Sequence, residues 1–224
     1  HNIQPVGDYR FIYICLKEQL DRYDLDAKLH AMQPDCKIVT VDQVTEGAAC
    51  TVLLAEEYID NEDPMMIANS DQYVDVDINE YLKAMDGKDG LIMTMYADDP
   101  KWSFIQFDDE KLVTMVREKE VISNEATVGI YNYAHGSDYV KYAKQMIEKD
   151  IRVNNEFYVA PVYNEMIEAG MKIGFENLGS EDNGMNPGGF GKVFEKSDFK
   201  GRLVTICLFY IWDRLSKTDR LDYL

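Results

Sequence analysis

The sequence predicts an α/β fold: a mostly parallel central sheet with helices on both faces, in three layers. Two observations carry that reading. The chain opens with strand-like and helix-like segments in β-α-β-α-β order, the pattern of parallel strands joined by crossover helices. Its 224 residues, 46% hydrophobic and 29% charged, are an ordinary globular balance, enough for one sizeable core and an appendage.

In order, Phe11–Leu16 ("FIYICL") is an interior strand, and Lys17–Met32 is an amphipathic helix with Leu20, Tyr23, Leu25 and Leu29 inward. Lys37–Val41 ("KIVTV") is a second strand. Gly47–Tyr58 is a helix entered through "TEG", packing through Val52, Leu53 and Ala55. Pro64–Ala68 ("PMMIA") is a third strand, Asn79–Met85 a short helix and Gly90–Tyr96 ("GLIMTMY") a fourth strand. Ser103–Asp108 and Leu112–Glu118 form a strand pair joined by "DDEK", and Ala126–Tyr133 is another strand. Ser137–Lys149 and Phe157–Gly170 are helices, and Lys172–Glu176 is a short strand.

After Gly179 the character changes. "GSEDNGMNPGGFGK" has the glycines, proline and asparagines of a loop. This divides the chain into a main α/β domain, residues 1–182, and a Gly-rich connector with a C-terminal appendage, residues 183–224.

The net charge of −18 argues against a nucleic-acid or anionic-membrane surface, yet a few local cations can still hold a phosphorylated ligand. Cys15, Cys36, Cys50 and Cys207 form no CxxC pair and sit in or beside apolar runs, so they read as buried thiols of a reducing, cytoplasmic compartment. His1, His30 and His135 lack metal spacing, and no signal peptide is visible. The apolar run Leu203–Trp212 is too short to span a bilayer. The sequence leaves the oligomeric state open, a homo-oligomer included. It starts with His1, close to an interior strand, which suggests that something precedes it in the natural protein.

The stretch "MIANSDQYVDVD" (Met66–Asp77) places an aspartate, Asp71, just past the carboxyl end of an interior strand. A carboxylate there is costly unless a metal, a cation or backbone N–H groups answer it. Ligands of open parallel sheets bind beyond the carboxyl ends of the strands, which puts Asp71 at the mouth of a site. A turn cap is the plainer alternative. Asp75 and Asp77 read as surface or helix-capping groups.

Four segments together resemble the sugar-phosphate nucleotidyltransferases, the nucleoside-diphosphate-sugar pyrophosphorylases of the GT-A-like, Rossmann-like fold, over roughly residues 8–182. "QVTEGAACTVLLA" (Gln43–Ala55) is similar to the family's Q-x-x-x-G-x-A segment, which implies that Gln43, Gly47 and Ala48 face the nucleotide base. Gly47 would let a planar base approach the backbone, and the Gln43 amide could read its edge. "IANSDQYVD" resembles the strand that ends in a Mg²⁺-binding aspartate, which implies Asp71 as catalytic metal ligand with Asn69 on the nucleotide side.

"VREKEVISNEATVGIYNY" (Val116–Tyr133) is similar to V-x-E-K-P…S-x-x-A-x-x-G-x-Y/F, which implies that Glu118 contacts sugar hydroxyls and Lys119 contacts phosphate as a catalytic group. Gly129 would admit the sugar ring, and Glu120 replaces the family's proline. "NNEFYVAPVYNEMIEAGMKIG" (Asn154–Gly174) resembles the segment in which a glutamate, here Glu156, opens a helix and reaches the sugar. "NLGSEDN" resembles the closing L-G-T-P-E-D motif without its proline, and no aspartate stands where many relatives carry a second metal ligand; Asp182 is a weak substitute.

The resemblance implies transfer of a nucleotidyl group from an NTP to a sugar phosphate or related phospho-compound in surface-polysaccharide precursor synthesis. The family's opening strand and G-x-G-x-R…K-P loop have no counterpart here. "GGFGKVFEKSDFKG" (Gly188–Gly201) is the nearest string, with Val193 where arginine is expected, and reads as a connector. The chain as it stands is therefore expected to turn over little. The strand edge left open invites pairing with another chain or coverage by Leu203–Trp212. Alternatives are a nucleotide-sugar-binding module without catalysis, and a glycosyltransferase of the same fold, for which "DVD" (Asp75–Asp77) supplies a formal D-x-D.

Overall fold

The computed structural model describes residues 4–69, 73–74, 76–180, 193–194 and 207–212, the last two segments as backbone only. The elements are β1 (Tyr9–Leu16), α1 (Lys17–Tyr23), α2 (Leu25–Met32), β2 (Lys37–Val41), α3 (Ala48–Leu53), α4 (Glu56–Ile59), β3 (Met65–Ala68), β4 (Tyr73–Val74), α5 (Ile78–Lys83), β5 (Gly90–Tyr96), β6 (Ser103–Phe107), β7 (Val113–Glu118), β8 (Glu125–Tyr133), α6 (Gly136–Glu148), α7 (Val162–Glu168), β9 (Ile173–Ser180), β10 (Val193–Phe194) and β11 (Cys207–Trp212).

Among the described residues nine strands form the main sheet, in the order β2-β1-β11-β3-β8-β5-β9, with β6 paired to β8 and β7 to β6. The register makes β2, β1, β3, β5 and β9 point one way, and β11 and β8 oppose them. The carboxyl ends of the five co-directional strands therefore share one edge. β5 and β8 are buried along almost their whole length, as interior strands covered on both faces must be. One face packs on α3, α6 and α7 through Val52, Tyr139, Met146, Tyr163 and Met166. The other packs on α2 and α5 through Leu29, Ile78 and Tyr81. This is the three-layer arrangement expected.

β11 pairs antiparallel with β1 on one side and with β3 on the other, for example Phe209 opposite both Ile12 and Ile67. The apolar tail thus covers the edge of β1, as its composition suggested. β4 pairs antiparallel with β10 in a separate two-stranded ribbon.

Three helices differ from the sequence reading. Lys17–Met32 is two helices, because Asp24 takes the left-handed conformation (φ 50°, ψ 48°) and its N–H closes α1 on the Leu20 carbonyl. Gly47–Tyr58 divides where Leu54 and Ala55 turn back onto Thr51 and Val52 in short i−3 bonds. Phe157–Gly170 is helical only from Val162, because Pro161 disfavours α geometry in the residue before it. β9 in turn runs further than Lys172–Glu176, to Ser180.

Cys15 and Cys36 are buried and Cys50 is half-buried. Among the described residues no helix is long and apolar enough to cross a membrane.

Candidate active site at the carboxyl edge of the sheet

Glu118 ends β7 beside Ser103, the first residue of β6. The next residue, Phe104, lies opposite Ala126, which itself faces Met95 near the end of β5. The hairpin thus delivers Glu118 and Lys119 to the carboxyl edge. The Ser103 hydroxyl donates to Glu118 Oε2. Burial pushes the Glu118 carboxyl up from its ordinary range, against the opposing effects of the Ser103 bond and the Lys119 charge; Glu156 adds to the rise.

Lys119 is held in the left-handed region (φ 57°) with its amide bonded to the Trp102 carbonyl at 3.0 Å. A lysine in that conformation is uncommon, and such strain persists where the surroundings impose it. Its ammonium donates to the Tyr158 hydroxyl at 2.7 Å and stands 4.8 Å from the centre of that ring. That bond raises the Lys119 pKa first, with Glu118 and Glu156 adding to it. Burial raises the Tyr158 pKa, the Lys119 bond opposes the rise, and the nearby Glu156 carboxylate adds to it. Lys119 thus bonds Tyr158, and Glu118 from its own motif and Glu156 from another lie near enough for their charges to act on it.

Glu156 does not open a helix as the resemblance implied. It closes a two-residue turn, Val153–Glu156, with reciprocal backbone bonds of 3.0 and 3.1 Å and both central asparagines at positive φ (51° and 64°). Asparagine tolerates that conformation better than most residues, which gives the "NN" pair its reason.

This turn leans on the Gln43–Ala48 segment. Phe157 N–H donates to the Glu46 carbonyl at 2.8 Å, and Ala49 N–H donates to the Phe157 carbonyl at 3.0 Å. Gly47 sits between, at φ 134°; a Cβ there would lie 2.4 Å from the Phe157 oxygen and 2.5 Å from its nitrogen. The close approach that Gly47 permits on that side is to the Phe157 backbone. Gln43 is exposed and Ala48 half-buried. Asn69, also exposed, donates its N–H to the Gly129 carbonyl at 2.9 Å, and Gly129 has φ 77°. A left-handed residue inside β8 requires glycine and sets the end of β3 against that bend.

Asp71 and Asp182 lie outside the described residues, as do Asp75 and Gly188–Lys192. Asp77 caps α5, accepting the Asn79 N–H at 2.9 Å, which uses one carboxylate of the formal D-x-D locally. Among the described residues no group of three His, Cys, Asp or Glu side chains converges as a metal site.

Sequence reasoning missed three contributors. Tyr158 and Ser103 bond the site's charges directly; Tyr158 was read into a helix that starts four residues later. Glu125 is 5% exposed and accepts from Thr94 Oγ1 (2.8 Å) and Asn177 Nδ2 (2.6 Å). Burial pushes its carboxyl up against those two bonds. The only sequence signal for it was a charge at the start of an apolar strand.

The nucleotidyl transferase family model matches residues 9–175. The fold resembles a nucleoside-diphosphate-sugar pyrophosphorylase from Vibrio cholerae RC9, at 21% identity over 76% of this chain and 73% of that one, with a TM-score of 0.67. It also resembles a Bacillus anthracis protein assigned to glucose-1-phosphate thymidylyltransferases and solved with sucrose (18% identity, 82% and 69% coverage, TM-score 0.61). A third likeness is the inositol-1-phosphate CTP transferase of T. maritima (15% identity, 76% and 66% coverage, TM-score 0.57).

Proposed function

The chain belongs to the nucleotidyl transferase family, and from that membership we propose that it joins an NTP-derived nucleotide to a sugar phosphate or related phospho-compound, with release of pyrophosphate. The observation that carries the proposal is the Lys119–Tyr158 bond with the Glu118 and Glu156 charges acting on Lys119, next to Phe157, which bonds the Glu46–Ala49 segment. Carboxylates accept from sugar hydroxyls, and an ammonium answers a phosphate. The physiological setting we propose is surface-polysaccharide precursor synthesis in the cytoplasm.

In this reading Gln43, Gly47, Ala48 and Asn69 line the nucleotide side. Glu118 and Glu156 accept hydroxyls of the sugar, Gly129 admits its ring, and Lys119 holds its phosphate. Tyr158 and the two carboxylates favour the charged form of Lys119, since each raises its pKa. An oxygen of the sugar phosphate attacks the α-phosphorus in line, and the bond to the departing pyrophosphate breaks; the protein chiefly positions the partners. Mg²⁺ is part of the proposal through Asp71, where it would neutralise phosphate charge when bound.

The test is a calorimetric and pyrophosphate-release panel with ATP, CTP, GTP, UTP and dTTP against glucose 1-phosphate and related sugar 1-phosphates, with Mg²⁺. Binding of one NTP and one sugar phosphate with pyrophosphate release is expected of a complete enzyme. Binding without release favours the binding-module reading. Binding of neither contradicts the proposal.

A further inference from the structure

Arg152 stands outside the groups assigned to substrate, yet three contacts converge on it. Its Nη1 donates to Glu46 Oε2 at 2.6 Å, and its Nε donates to Asp150. Its guanidinium carbon lies 4.1 Å from the centre of the Phe157 ring. Val153, the next residue, starts the turn that ends at Glu156. Arg152 therefore holds the root of the Glu156 turn, the Phe157 ring and the Glu46 side chain together.

The backbone continues this link. Glu46 and Ala49 bond Phe157 on either side of Gly47, and Gly47 lies so close to the Phe157 backbone that no side chain fits between. Displacing the 46–49 segment thus moves Phe157, and with it Glu156 on one side and Tyr158 on the other. Two turn residues at positive φ leave the 153–156 hairpin little room to adjust separately.

We propose that Arg152 is a positioning residue that couples the two halves of the site, so that nucleotide on the Gln43–Ala48 side and sugar phosphate on the Glu118–Glu156 side bind cooperatively. This rests on the function proposed above. Arg suits the task better than Lys because its planar fork can bond a carboxylate while its face covers an aromatic ring. The ion pair is substantially solvent-exposed, so its effect on global stability is small. Its effect on coupling is separate, because coupling depends on whether ordering one segment orders the other.

The test titrates the full chain with Mg²⁺ and α,β-methylene analogues of the five NTPs, which bind without transfer, with and without saturating glucose 1-phosphate. In the unmodified protein we expect each ligand to tighten the other by the same factor, about fivefold or more. Arg152→Met should bring that factor to about one while each ligand alone keeps its affinity within about twofold, and Arg152→Lys should fall between. Hydrogen exchange at the Phe157 amide should slow on nucleotide binding in the unmodified protein and not in Arg152→Met. If Arg152→Met fails to fold, Glu46→Gln provides the same comparison with Arg152 in place. Both ligands binding without mutual tightening, or full coupling in the variants, overturns the inference and leaves the proposed function standing. Binding of neither ligand overturns the function, and the inference with it.

Discussion

The Lys119 ammonium donates to the Tyr158 hydroxyl at 2.7 Å and lies over the same ring. Tyr158 is therefore both an acceptor and a platform for the cation assigned to the phosphate. Tyr158→Phe keeps the platform and removes the acceptor. Loss of one hydrogen bond to a charged group should weaken glucose 1-phosphate binding by about 1–2 kcal/mol, with NTP binding little changed. Unaltered glucose 1-phosphate affinity in titration calorimetry would remove Tyr158 from the site.

Gly47 is fixed by Phe157 as much as by any ligand. Gly47→Ala places a methyl group inside the contact distance of the Phe157 backbone at a strained φ. Overpacking and backbone strain together should cost about 2–4 kcal/mol. Urea denaturation reads this directly, and a loss below about 0.5 kcal/mol would show that the two segments separate easily.

Glu125 carries a pH signature. Burial raises its folded pKa above that of the unfolded chain. Its contribution to stability is thus fully present below the ordinary glutamate range and is lost as pH rises through the folded value. Glu125→Gln keeps an acceptor for Thr94 and Asn177 and removes the titration. The stability of Glu125→Gln relative to the unmodified protein should rise from about pH 4 to about pH 8. A difference that does not vary with pH contradicts this account.

β11 joins β1 to β3 through its backbone. Phe209 lies opposite Ile12 and Ile67, so its amide belongs to a ladder on one side or the other. Phe209→Pro should cost about 3 kcal/mol or more, or leave the chain insoluble. Chemical denaturation close to that of the unmodified protein would mean that the sheet does not depend on this strand.

Much of this fold was legible because its interior strands are short, apolar and sharply bounded. β2 and β5 begin and end where the residue pattern places them. The helices were harder, because periodicity does not report where a chain pauses. Asp24 and the 54–55 turn break helices whose apolar faces continue across the break. Pro161 and the Asn154–Asn155 pair did carry turn signals, and a reading that weighed them would have freed Tyr158 from the helix and found the turn beneath Glu156. Glu118, Lys119 and Glu156 were found through motif resemblance; Ser103 meets Glu118 across the hairpin that the sequence pattern also gives, whereas Tyr158 meets Lys119, and Arg152 meets Glu46, by tertiary contacts that no local pattern encodes.

The central claim is that the site has two halves, with Glu118 and Glu156 serving the sugar phosphate. Its most direct test is to titrate Glu118→Gln and Glu156→Gln with glucose 1-phosphate and, separately, with whichever Mg²⁺-NTP the unmodified protein binds. A charged hydrogen bond of about 1.5–3 kcal/mol corresponds to about a 10- to 150-fold loss. The account predicts a loss of that size for glucose 1-phosphate in each variant, with NTP affinity within about twofold. Weakened NTP binding with glucose 1-phosphate affinity intact would contradict it.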